Sequence, residues 1–169
     1  MSSGRILAVE SSCDETAVAV VERGRRIVAS VVASQVQLHS ATGGIVPEVA
    51  ARAHLRWMVP VLDEARERSG IDAWSEVDAV AVTEGPGLAG SLLVGITMAK
   101  TLAWSLDLPL VPVNHLEGHI YAAWLLAPDE EEKPAPQVPL VALVVRGGHP
   151  VIVEMEDPLR SRLLGQTGD

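Results

Sequence analysis

Two histidines four residues apart are the side chains in this sequence best spaced to do chemistry. In Asn114-His115-Leu116-Glu117-Gly118-His119 the i, i+4 spacing puts both imidazoles on one face of a helix, where neutral ring nitrogens can share one divalent transition metal. The same spacing also suits two exposed or core-satisfied histidines. Position favours the metal: His115 comes just after the apolar run that ends at Val113, and in open α/β folds ligands gather beyond the carboxyl ends of the strands. Glu117 invites comparison with the HExxH helix of metallopeptidases, in which the glutamate directly follows the first histidine and acts as general base. Here it stands one residue further on, a turn of about 100° that takes its carboxylate off the histidine face.

Three other segments carry weaker signals. Glu10-Ser11-Ser12-Cys13-Asp14-Glu15-Thr16 offers hydroxyls and backbone amides to a phosphate or adenylate through Ser11 and Ser12, and carboxylates to a metal or water through Asp14 and Glu15. A plain polar β-turn has the same composition. Gly85-Pro86-Gly87-Leu88-Ala89-Gly90-Ser91 opens a helix after a strand, where amides and the helix dipole favour anions. It lacks the GxxxxGK[ST] and GxGxxG patterns, so tight helix–sheet packing explains these glycines equally well. Gly147-Gly148 lets a strand end approach a ligand without an intervening β-carbon, or makes a tight turn. Cys13 has no histidine partner in any motif and is given no catalytic role.

These segments must be positioned by regular elements, and the sequence supplies them in order. Residues 5–10, 17–22 and 26–33 are β-branched runs separated by polar or glycine-containing turns, which predicts an antiparallel meander. The spacing of Val49, Ala53, Leu55, Val59, Leu62 and Ala65 predicts a helix over 47–69, with Pro60 a kink and Gly70 a stop. A buried strand over 77–83, a helix over 88–104 and a strand over 110–113 then imply a βαβ crossover with parallel pairing. Asn114 is placed to cap a helix over 115–126. Strands over 139–145 and 151–156, joined by a hairpin-like turn at 146–150, restart the opening theme. The expected division is a first lobe over 1–127, a proline- and acid-rich linker over 128–137, and the beginning of a second lobe over 138–169.

Composition narrows the class. The chain has 169 residues, 48% of them hydrophobic, enough to bury a core without disulfides or metals to hold it together. One cysteine cannot form an internal disulfide, and the N-terminus lacks the apolar core of a secretory leader, so a cytoplasmic location is expected. The apolar stretch 88–104 is interrupted by glycines, threonines and Lys100 and reads as a buried helix, with no membrane partner expected. With 13 Lys+Arg against 22 Asp+Glu and a net charge of −9, the chain does not attract a polyanion through its overall field, so an RNA substrate would need help from elsewhere. The acidic run 129–132 is expected to be a solvated loop.

Taken together, ESSCDET at 10–16, GGIVPEVAARAH at 43–54, TEGPGLAGSLLVG at 83–95, NHLEGH at 114–119 and RGGH at 146–149 resemble the TsaD family, formerly called O-sialoglycoprotein endopeptidase or glycoprotease. The resemblance runs in order from Ile6 to the last residue. It implies an α/β fold of the actin-like, sugar-kinase/Hsp70-like (ASKHA) class: one complete lobe and a truncated start of the second.

It also implies transfer of threonylcarbamoyl from threonylcarbamoyl-AMP to adenosine 37 of ANN-decoding tRNA, in company with TsaB-like and TsaE-like proteins. By matching position, His115 and His119 would be two ligands of one divalent metal, Fe(II) first and Zn(II) second, with a third ligand, an aspartate, from near the family's C-terminus. Val144, Val145, Arg146, Gly147 and Gly148 would contact the adenylate. The family usually reads SGGHT where this chain has Arg146-Gly147-Gly148-His149-Pro150, and it is roughly twice as long, so the chain is expected to be inactive alone. Strand edges left without neighbours would favour self-association. The alternatives are a non-catalytic, TsaB-like partner-binding module, which would lack the metal motif, and a metallopeptidase, which would need HExxH.

Overall fold

The structure, a computed structural model, describes residues 4–40, 43–145, 150–158 and 160–167. These form two compact units: 1–115 with 125–130, and 116–124 with 131–169.

In the first unit β1 (Arg5–Glu10), β2 (Glu15–Glu22) and β3 (Arg26–Ser34) make the expected antiparallel meander. β4 (Ala79–Gly85) joins β1 in parallel, and β5 (Leu110–Asn114) joins β4 in parallel. The sheet order is therefore β3-β2-β1-β4-β5. Alternation along the strands gives one strongly apolar face, Leu7, Val9, Val18, Val20, Val31, Val80 and Val82, and both long helices cover it.

The first of these, α2 (Pro47–Ser69), runs unbroken through Pro60, buries Met58, Val61, Leu62 and Ala65, and ends at Gly70, whose amide bonds back to the Arg66 and Glu67 carbonyls. A short α1 (Val36–His39) precedes it. The second, α3 (Ala89–Leu106), is long and apolar enough by length and composition to cross a membrane. It buries only a stripe of small residues, Ser91, Gly95, Ala99 and Ala103, at four-residue intervals. That spacing lets its backbone lie close to the sheet.

The helix expected over 115–126 is shorter: α4 (His115–Tyr121) gives way to a single 3-10 turn at 122–124. Leu126 then ends the helical run because its backbone pairs with β3: its carbonyl accepts from the Ile27 amide at 2.9 Å and its amide donates to the Arg25 carbonyl at 2.8 Å, with its side chain fully buried.

The second unit is an antiparallel meander of β6 (Leu140–Val144), β7 (Val151–Asp157) and β8 (Arg160–Gln166). Ile120 packs with Val151, Val153 and Met155, and Tyr121 and Trp124 flank that cluster. This packing explains why residues 116–124 group with the second sheet and not with the lobe that precedes them in sequence. β8 was not expected, since its RSRLLGQ run neither alternates nor contains a β-branched residue, and it lies almost wholly exposed at the sheet edge.

Candidate functional site

The carboxyl ends of the central parallel strands converge on Glu10. It is the last residue of β1, and its Oε1 accepts from the Ser12 amide while its Oε2 accepts from the Thr83 hydroxyl, both at 2.5 Å. The same Oε2 lies 3.2 Å from His115 Nδ1, and the Ser12 hydroxyl is also 3.2 Å from that nitrogen. Thr83 comes from β4 and His115 directly follows β5, so three adjacent strands each deliver one member of the cluster. Burial raises the Glu10 carboxyl's pKa, but the hydrogen bonds from His115, Ser12 and Thr83 outweigh it and hold the group down to about 2. Glu10 is therefore a carboxylate at neutral pH. Facing it, His115 Nδ1 is favoured in its protonated form, because a lone pair aimed at a carboxylate oxygen would be repelled.

The turn carrying Ser12 is clamped from both helices. Ser11, buried, donates its hydroxyl to the Ser91 carbonyl at 2.8 Å and accepts from the Gly95 amide at 3.2 Å. The Ser12 carbonyl accepts from the Leu88 amide at 2.7 Å. A β-carbon at Gly87 would stand 2.5 Å from the Ser12 carbonyl oxygen, and one at Gly95 would stand 2.3 Å from the Ser11 hydroxyl. Close approach of turn and helix is what these two glycines permit.

From α2, the fully buried His54 sets its Nδ1 at 2.7 Å from the Thr16 hydroxyl and its Nε2 at 3.1 Å from the Cys13 carbonyl. Because the carbonyl can only accept, Nε2 carries the proton, and in the neutral His54 ring that burial favours, Thr16 donates to Nδ1. Burial lowers its pKa, in partial opposition to the Cys13 hydrogen bond. Burial, reinforced by Asp14, pushes the Cys13 thiol pKa up, which disfavours the nucleophilic thiolate. The Asp14 carbonyl accepts from the Gln35 amide, and Glu15 begins β2 with an exposed side chain.

The second unit holds the other expected site residues. His119 sits four residues after His115 in α4. It lines a cavity of about 400 Å³ with Ile120, Trp124, Leu140, Val144 and Val145, so the structure brings His119 together with the two valines of the expected substrate strand. Arg146, Gly147 and Gly148, with the rest of the hairpin turn, lie outside the described residues. Glu117 accepts from the Ser161 hydroxyl at 2.9 Å, a bond made away from the histidine face. Among the described residues no three His, Cys, Asp or Glu side chains converge as a complete metal shell. In the first unit, His115 with a carboxylate behind its ring is what would suit a metal-ligating imidazole.

Glu10, Thr83 and His54 were given no role from the sequence. Glu10 had a legible signal, a carboxylate closing a buried central strand. Thr83 and His54 had none, since only the fold shows what they touch.

A five-stranded mixed sheet in this order, followed by a second meander, places the molecule in the actin-like, sugar-kinase/Hsp70-like class. Two solved Pseudomonas aeruginosa structures share the fold. One, described as similar to peptidase YEAZ, has a TM-score of 0.57 at 21% identity, covering 96% of this chain and 64% of its own. The other, YeaZ, has a TM-score of 0.56 at 19% identity, covering 96% and 67%.

Sequence comparison is more specific. The family described as TsaD, tRNA N6-adenosine threonylcarbamoyltransferase, matches residues 26–169. A protein of that name from Thermomicrobium roseum is 57% identical over 97% of this chain, and one from Symbiobacterium thermophilum is 53% identical over all of it. The chain belongs to this family. It spans about half the length of these relatives, 45% and 48% respectively.

Proposed function

We infer that this chain supplies the first lobe and the histidine helix of a tRNA N6-adenosine threonylcarbamoyltransferase, which moves threonylcarbamoyl from threonylcarbamoyl-AMP to adenosine 37 of ANN-decoding tRNA. The observation that carries the reading is the His115 anchorage: a carboxylate at a strand end stands 3.2 Å from its Nδ1, the kind of partner that metal-site histidines usually have. His115 and His119 would hold one divalent metal, Fe(II) first and Zn(II) second. Its remaining ligands would come from substrate, solvent or chain outside these 169 residues. When bound, such an ion supplies Lewis-acid stabilisation of developing negative charge. The chain's own part is positional. Glu10, Ser12 and Thr83 fix the ring of His115, and Val144 and Val145 precede Gly147-Gly148, where the adenylate would lie.

A net charge of −9 gives this chain no general attraction for tRNA, which fits a transferase working in a complex with TsaB-like and TsaE-like proteins in the cytoplasm. The TsaB-like, non-catalytic reading shares the fold but gives no reason for a carboxylate-anchored histidine pair.

Metal binding by the purified chain tests the proposal. Calorimetric titration with Fe(II) under anaerobic conditions, and with Zn(II), should show about one equivalent bound, lost in a His115→Ala/His119→Ala double variant. Equal behaviour of the two proteins would remove the histidines from the reading.

A further inference from the structure

We propose that Glu10 is the positioning residue of His115: its carboxylate locks His115 in the Nδ1–H tautomer and so presents Nε2 as the donor atom. This deepens the metal reading of the same site and rests on it for its purpose, but its geometry can be judged separately. The contacts of Glu10 are divided so that each oxygen has a fixed duty. Oε1 takes the Ser12 amide, and Oε2 takes the Thr83 hydroxyl and faces His115 Nδ1. A backbone N–H can only donate, so the Oε1 position must always be an acceptor. The Ser12 hydroxyl, also 3.2 Å from Nδ1, can donate or accept and imposes no tautomer. Of the two oxygens that face Nδ1, only the carboxylate imposes a tautomer.

That division predicts an unusual effect for an isosteric change. In Glu10→Gln the amide oxygen is drawn to the Oε1 position by the Ser12 amide, which puts the NH2 group where Oε2 was. There it can still meet the Thr83 oxygen, but it now donates toward His115 Nδ1 and calls for a lone pair on that nitrogen. The preferred tautomer is reversed, and Nε2 carries the proton. Metal binding must then first break the new hydrogen bond and move the proton. Loss of such a partner behind a ligating histidine typically weakens metal affinity about 10- to 100-fold.

Long-range proton–nitrogen correlation NMR of the metal-free chain, recorded at about pH 8 where an ordinary imidazole is neutral, reads the tautomer directly. His115 should show the Nδ1–H pattern in the wild type, the Nε2–H pattern in Glu10→Gln, and a mixture in Glu10→Ala. Zn(II) affinity should fall about 10- to 100-fold in Glu10→Gln, with circular dichroism unchanged. A role confined to holding the turn together would lower stability but leave the tautomer as it was. Wild-type His115 in the Nε2–H form, or Glu10→Gln retaining the Nδ1–H form, would overturn the inference. A wild-type chain that binds no zinc yet shows the predicted reversal would sink the metal reading while upholding the tautomer lock.

Discussion

Replacing His54 by leucine should unfasten the turn that carries Ser12, and the cost can be worked from its contacts. The imidazole is fully buried and makes two hydrogen bonds, to the Thr16 hydroxyl at 2.7 Å and the Cys13 carbonyl at 3.1 Å. In His54→Leu the Thr16 hydroxyl, itself fully buried, loses this partner, and an unsatisfied buried group costs about 1–3 kcal/mol. The Cys13 carbonyl keeps a long bond from the Ser91 hydroxyl at 3.4 Å, so its loss is smaller. The better burial of leucine offsets the smaller loss, leaving about 1–3 kcal/mol, or roughly 2–12 °C in Tm for a chain of this size.

The penalty should also depend on pH. His54 has a folded-state pKa below its ordinary value, so below about 6.5 the unfolded chain takes up a proton that the folded chain does not. Wild-type stability is therefore lost as pH falls from there, by at most about 1.4 kcal/mol per pH unit, and the leucine variant lacks this component. Urea unfolding followed by circular dichroism over a pH series would show the gap between the two proteins narrowing toward acid. A gap below about 1 kcal/mol, or one that stays constant from pH 8 down to the point of acid unfolding, would refute the clamp.

Gly87→Ala and Gly95→Ala should each destabilise by about 1–3 kcal/mol, because the added carbon would stand 2.5 Å from the Ser12 carbonyl and 2.3 Å from the Ser11 hydroxyl. Gly118→Ala, in α4 with nothing within 4 Å, should raise stability by up to about 1 kcal/mol; thermal melts of the three variants compare them directly. Glu10 is held from 4.5 down to about 2, so its contribution is complete above pH 4.5 and is lost as pH falls from there toward 2. That contribution is no more than about 3 kcal/mol and is reduced by solvent at a side chain 32% exposed. Acid titration of Glu10→Gln should lack this part of the wild-type slope.

Much of the fold was legible because its local signals agree with its packing. The strands at 5–10 and 26–34 and the helix ending at Ser69 fall within a residue of expectation, since β-branched runs, a proline start and a glycine stop all point one way. The end of α4 was not legible: Tyr121 to Leu126 reads as more helix until one sees Leu126 pairing with β3, about a hundred positions earlier in the chain. β8 was missed because an edge strand can be exposed and polar. At the site, the histidine spacing was visible, but its support was not. Glu10, Thr83 and His54 act through partners 38 to 105 residues away, and no local pattern records such contacts.

Whether these residues can serve as part of a threonylcarbamoyl transferase, as proposed, is tested by a graft. The chain would replace the matching segment of the Thermomicrobium roseum relative, and threonylcarbamoyladenosine formation would be followed on tRNA with threonylcarbamoyl-AMP supplied. The hybrid should fold, modify tRNA and lose that activity with His115→Ala. A hybrid that folds and binds metal but leaves tRNA unmodified would contradict the proposal.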